Sequence, residues 1–195
     1  MNTLPPQAVV REVGLRDGLQ SIQTILPTPQ KMEWIRQAYQ AGQREIEVGS
    51  FVPSRLLPQL ADTEALLAYA KTLPGLFASV LVPNLKGAER AMDSGADWML
   101  LPLSASQAHS RANLRKSPDD VVAEIGAMVD ARRSRGSSIR IEVGLSTALG
   151  CTIQGDVDTQ EVLRLLRAVL ALGVDRVSLA DTVGYADPRQ VGDLF

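Results

Sequence analysis

The chain has 195 residues, 45% of them hydrophobic and 22% charged, with a formal net charge of −2. That is the composition of an ordinary soluble globular protein able to bury a sizeable core, with no nucleic-acid footprint: its basic residues are scattered, apart from the short run Arg132, Arg133 and Arg135. No apolar run approaches the roughly 20 residues a bilayer span needs, and the first seven residues carry no signal-peptide pattern, so no membrane partner and a cytoplasmic setting are expected.

The single cysteine, Cys151, excludes an internal disulfide and fits a reducing compartment. The single histidine, His109, means that no two-histidine metal site is completed by these residues alone. In chain order, short apolar runs predict strands over 8–14, 45–51, 77–82, 97–103, 138–146 and 175–180. Amphipathic stretches predict helices near 29–41, 60–72, 85–94, 118–135 and 159–172, with the chain stopping in a sixth.

The helices carry their own punctuation. Thr28-Pro29 reads as an N-cap followed by an N1 proline, and Ser117-Pro118-Asp119-Asp120 repeats the device with acids in the first turn. Gly42, Gly95, Gly136 and Gly173 read as closing residues. No linker or low-complexity segment interrupts the pattern, so residues 1–195 are read as one domain.

Regular β–α alternation fits either a doubly wound sheet or a (β/α)8 barrel. The first turn, Gly14-Leu15-Arg16-Asp17-Gly18-Leu19-Gln20, matches neither a dinucleotide fingerprint nor a P-loop. Polar residues gather instead where many strands end: Arg16, Asp17 and Gln20; Glu47 and Ser50; Asn84; Ser104 and Ser106; Ser146 and Thr147; Asp181 and Thr182. That distribution favours an α/β fold of the (β/α)8 TIM-barrel type. About six of eight βα units are present, so the sequence is read as partial, or as one whose partner chain supplies the remaining strands, with homo-oligomerisation the other option.

Several constellations could carry chemistry. Arg16-Asp17-Gly18 can hold a hard cation on its carboxylate and an oxyanion on its guanidinium, or be only a surface ion pair at a turn. Glu47, set among apolar neighbours in Ile46-Glu47-Val48, either points into the barrel mouth or forms a barrel-layer salt bridge, with Arg16 as one candidate partner; both roles are compatible. The hydroxyls of Ser178 and Thr182 could bind a substrate carboxylate, with Asp181 orienting a ligand, accepting a proton or merely capping a turn. His109 reads as a solvated histidine in a polar loop, and Cys151 is not assigned as a nucleophile.

Six ordered segments then resemble the 3-hydroxy-3-methylglutaryl-CoA lyases, within the metal-dependent aldolase and acyltransferase barrels. They are Glu12 to Gln20, Ile46 to Val52, Pro83 to Gly87, Ser104 to Ser106, Leu149 to Cys151 and Ser178 to Gly184. The resemblance implies a retro-Claisen cleavage of an acyl-CoA thioester with a divalent cation, Mg2+ or Mn2+. It places Asp17 as a metal ligand, Arg16 as the stabiliser of the departing enolate, and Glu47 and Asp181 as acids of the reaction centre. It also places Ser50, Ser178 and Thr182 on the substrate-carboxylate wall, Gln20 beside metal and substrate, and Arg111 and Asn113 near the CoA phosphates and adenine. The sequence departs from the family at Leu15, at Ser21-Ile22-Gln23 and at Thr152, which leaves citramalyl-CoA and other 3-hydroxyacyl-CoA thioesters open. The family's His-X-His pair, its later cysteine loop and an asparagine ligand have no counterpart here. A related condensing enzyme, a 2-keto acid aldolase, and an inactive binding or assembly module are the competing expectations.

Overall fold

The structure is a computed structural model that describes residues 8–194. Six strands form one sheet in sequence order: β1 (Arg11–Glu12), β2 (Glu45–Ser50), β3 (Phe77–Leu81), β4 (Trp98–Ser104), β5 (Arg140–Ser146) and β6 (Arg176–Leu179). Every adjacent pair is parallel, so each connection must cross over, and helices do the crossing. These are α1 (Thr28–Gln40), α2 (Thr63–Ala70), α3 (Leu85–Asp93), α4 (Gln107–Leu114), α5 (Pro118–Ser134), α6 (Thr159–Leu172) and α7 (Pro188–Leu194). The result is six staves of a TIM barrel.

Local chemistry explains where the helices begin and end. Ser117 and Asp120 form a reciprocal capping box at α5, Asn84 accepts the Gly87 amide at α3, and Asp158 accepts the Gln160 amide at α6. Gly42, Gly95, Gly136 and Gly173 all adopt positive φ just past a helix, where a Cβ would be strained.

Three expectations need correction. The first strand is two residues long rather than seven, because Val9 and Val10 stay exposed and the Glu12 carboxylate accepts the Gly14 amide, turning the chain into a π-helical turn at Gly14–Gly18. Helix α1 starts at Thr28 with Pro27 outside it; the Thr28 hydroxyl donates to Asp62 rather than capping. Helix α4 replaces the expected loop after β4, with the Ser106 hydroxyl accepting the His109 amide at its start.

Strand pleating sorts the side chains by face. Ile46, Val48, Ala78, Val80, Met99, Leu101, Ile141, Val143 and Leu145 are fully buried under the helices. The alternate positions are mixed: Glu45, Glu47, Ser79, Trp98, Ser104, Glu142 and Ser178 lie on the barrel side. Near the strand starts, Arg11 from β1 reaches Glu45 at 3.4 Å and crosses to Glu142 of β5 at 2.8 Å, while Arg176 of β6 also binds Glu142. The Trp98 ring stacks with the guanidiniums of Arg140 and Arg176, at 4.2 and 4.4 Å. This ionic floor belongs to the stability end of a barrel; the strand ends opposite belong to function.

Candidate active site

The chain leaves β1 through the π-helical turn, which closes only because Gly14 lacks a side chain. A Cβ there would meet Glu12 Oε1 at 2.6 Å and the Trp34 ring at 2.7 Å. The turn carries Arg16 over the end of β2. Its Nε and Nη2 atoms donate to Glu47 at 2.7 and 3.2 Å, a two-point clamp, and Nη1 donates to Asp17 at 2.8 Å. The Glu47 side chain is only 1% exposed and Arg16 14%, whereas Asp17 is 63% exposed. Arg16 is therefore fixed in direction by a buried acid while Asp17 stays open to a ligand.

Burial pushes the Glu47 carboxyl above the ordinary range, and the pull of Arg16 offsets this only in part. The salt bridge anticipated between these two residues is present.

Ser50 sits at the end of β2, buried, with its hydroxyl accepting the Val52 amide. Its backbone is anchored by Thr63, whose hydroxyl accepts the Ser50 amide at 3.0 Å and occupies the space a Cβ on Gly49 would need. On the far side, Thr182 accepts the Thr147 amide at 2.7 Å. Ser178 stands 3.8 Å from the point a Gly144 Cβ would occupy, half-buried. The Asp181 oxygens accept the amides of Tyr185 and Ala186 at 3.0 and 3.1 Å, so this carboxylate caps the loop after β6 and remains exposed.

Gln20 and Asn113 come together on the wall of a groove of about 520 Å³, shared with Val52, Leu57, Asn84 and Lys116. Arg111 is exposed on α4 and is not part of that wall.

A network the sequence reading did not single out joins the ends of β4 and β5 to helix α4. Ser104 Oγ lies 2.9 Å from both His109 Nδ1 and Thr147 Oγ1, and Asn113 Nδ2 donates to His109 Nε2 at 2.7 Å. His109 is thus no solvated loop residue, and burial lowers its pKa. The signal was present in Ser106, a capping residue three positions before it, but the weak amphipathicity of Gln107–Leu114 hid the helix.

Cys151 is buried and free. Burial would raise its thiol pKa, but hydrogen bonds from Ser106 and from the Gln154 and Ile153 amides outweigh that and lower it.

Among the described residues no group of three or more His, Cys, Asp and Glu side chains is placed to hold a metal ion. Asp17 offers one carboxylate, and His109 is committed elsewhere. A single carboxylate leaves a hard cation holding mostly water, so this donor set does not by itself make a metal centre.

The sequence profile of the HMGL-like family matches residues 8–195. The chain belongs to the HMGL-like family. It is 35% identical over 195 residues to the mitochondrial hydroxymethylglutaryl-CoA lyase of Rattus norvegicus, covering all of this chain and 59% of the relative. It is 36% identical to the cytoplasmic 3-hydroxy-3-methylglutaryl-CoA lyase of the same species, again over the whole chain and 56% of the relative. An HMG-CoA lyase from Acinetobacter baumannii, solved with coenzyme A and 3-methylmalate, superposes with a TM-score of 0.88 at 36% identity, over 95% of this chain and 60% of that one. The chain therefore spans somewhat over half the length of these relatives. No described helix is long and apolar enough to cross a membrane.

Proposed function

We propose that this chain forms the larger part of a carbon–carbon lyase that splits 3-hydroxy-3-methylglutaryl-CoA, or a close 3-hydroxyacyl-CoA such as citramalyl-CoA, into a keto acid and acetyl-CoA. The observation that carries this is the Arg16 guanidinium, clamped at the strand ends by Glu47 and Asp17. In the reaction the 3-hydroxyl loses its proton to a carboxylate, the C2–C3 bond breaks, and its electron pair moves onto the thioester oxygen as an enolate. Protonation at C2 then completes acetyl-CoA.

A cation held rigidly where that oxyanion develops lowers the barrier without reorganising during the step. Glu47 supplies the rigidity. Asp181 is the more accessible carboxylate for the hydroxyl proton, and Ser50, Ser178 and Thr182 form the polar wall for the substrate carboxylate. Gln20 and Asn113 line the groove for the CoA arm, with Arg111 outside it as a phosphate contact.

A divalent cation, Mg2+ or Mn2+, would polarise the substrate oxygens, with Asp17 as the ligand this chain provides. No group of His, Cys, Asp and Glu among the described residues completes its shell, so no step above is routed through it. The open edges of β1 and β6 favour a partner, either a second copy or a chain bringing further strands. The free thiol of Cys151 favours a cytoplasmic setting.

The test is acetyl-CoA release from 3-hydroxy-3-methylglutaryl-CoA with Mg2+, for this chain alone and for a version extended by two βα units. Turnover that Arg16→Gln abolishes supports the lyase. Cleavage only of another thioester or of a 2-keto acid moves the substrate. Coenzyme A binding with no turnover by either version favours a binding module.

A further inference from the structure

The network around His109 has a direction. At one end the Asn113 amide nitrogen, which can only donate, faces His109 Nε2 at 2.7 Å. Nε2 must therefore be the unprotonated, accepting nitrogen, and the ring proton sits on Nδ1, which donates to Ser104 Oγ at 2.9 Å. Ser104 passes its own proton to Thr147 Oγ1, and Thr147 donates to the Ser146 carbonyl at 2.6 Å while accepting the Ser106 amide. Each proton along this chain has one acceptor, and the Thr147 oxygen accepts from both Ser104 and the Ser106 amide, so the whole network runs in one consistent sense.

The opposite sense needs the Asn113 amide turned over and the Thr147 hydroxyl withdrawn from Ser146. We infer that His109 is a positioning residue: held as its Nδ1–H tautomer by Ser104, it fixes the Asn113 amide by its nitrogen, leaving the Asn113 carbonyl oxygen as the acceptor presented to the groove. Thr147, whose amide donates to Thr182, ties the same network to the far wall. The role of the Asn113 oxygen as a ligand contact rests on the reading of the groove as a coenzyme A site; the orientation of the pair does not.

Ring protonation would reverse the polarity. With a proton on Nε2 as well, the ring can no longer accept from Asn113, and the amide must turn its oxygen inward and its nitrogen toward the groove. The ring's side-chain partners are Ser104 from β4 and Asn113 from α4, neither of which titrates, and burial is what opposes its charging.

Because the chain has one histidine, its ring nitrogens can be read without assignment ambiguity. Long-range 1H–15N spectra of the intact chain at pH 7.5 should show Nδ1 protonated and Nε2 bare; an Nε2–H ring overturns the proposal whatever the groove binds. Ser104→Ala, which removes the Nδ1 acceptor, should shift the ring toward the other tautomer, and an unchanged spectrum counts against it. Calorimetry with coenzyme A then tests the coupling. His109→Ala and Asn113→Ala should each weaken binding roughly fivefold, the size of one neutral hydrogen bond, and the double variant no further. Additive losses, or no loss in His109→Ala, reject the positioning role. If the unmodified chain binds no coenzyme A, the groove assignment and the role of the Asn113 oxygen as a ligand contact fall together, while the tautomer still decides the orientation.

Discussion

Replacing Glu142 by Gln should cost this fold about 3 kcal/mol. The Glu142 side chain is 6% exposed and accepts three charge-assisted hydrogen bonds: one from Arg11 at 2.8 Å and two from Arg176 at 2.8 and 2.5 Å. Removing one partner of a buried ion pair costs about 3–5 kcal/mol, mostly because the remaining charge is stranded. The lower end applies here, since Arg176 is 38% exposed and Glu45 stays as a second, longer partner for both arginines. With a urea m-value of about 2 kcal/mol/M, the unfolding midpoint should fall by roughly 1.5 M. Tryptophan fluorescence, from Trp34 and from Trp98 stacked against Arg176, reports the transition.

A pH series supplies the second arm. Burial raises the Glu142 carboxyl, but the hydrogen bonds and charge of Arg11 and Arg176 outweigh it, and the net shift is downward. A lowered folded pKa means that the stabilisation is present above the unfolded value and is lost as pH falls through the folded one. The gap between wild type and Glu142→Gln should therefore close on acidification. A midpoint shift below about 0.25 M at pH 7, or a gap undiminished at pH 3, would refute the account of the floor.

Arg16→Lys should keep the fold by circular dichroism while cleavage of the thioester falls by roughly 100-fold or more, because an ammonium cannot reproduce the two-point clamp on Glu47. Asp17→Asn should change urea stability by no more than about 0.5 kcal/mol, since this exposed carboxylate carries little of the fold, yet should abolish the metal dependence of any turnover. Gly49→Ala puts a Cβ 2.3 Å from Thr63 Oγ1, so Thr63 must move and release Ser50. A loss of about 1–3 kcal/mol is expected, with part of it recovered in the Gly49→Ala/Thr63→Ala double variant; no loss would mean Thr63 is free to swing aside.

Strand positions were legible because parallel strands covered by helices need long apolar runs, and Ile46, Val80, Leu101 and Val143 lie fully buried in the expected strands. The terminal strand was misjudged for the converse reason: Val9 and Val10 look like strand residues but have no partner strand to pay for their ordering. Of the site, Arg16 and Glu47 could be paired from sequence because Glu47 is an acid between apolar strand neighbours that needs a cation, and Arg16 lies at the end of the adjoining strand. Glu142 has the same local pattern, Ile141-Glu142-Val143, but nothing near it in sequence names its partner. Its partner Arg11 is 131 positions away, a contact that only the curling of the sheet creates. The His109 network was hidden for the same reason, since Ser104 and Thr147 meet across two strands.

Glu47 and Glu142 make an informative pair. Both project from a strand to the barrel side, both are bound by arginine, and their proton affinities move in opposite directions. Glu142 sits between two guanidiniums, whose attraction exceeds the cost of burial. Glu47 is buried more deeply and directly bonded to one guanidinium, which is itself shared with Asp17, so burial wins. In the floor, the arrangement stabilises the ionised state and with it the fold. At the mouth, holding Glu47 ionised against Arg16 is unfavourable by the same accounting, and the fold alone gives no reason to place it there. The clamp does what an apolar residue at that position could not, which is to aim a guanidinium outward from the end of the first strand. On the proposed lyase reading, a guanidinium so held is what a developing enolate oxygen would meet.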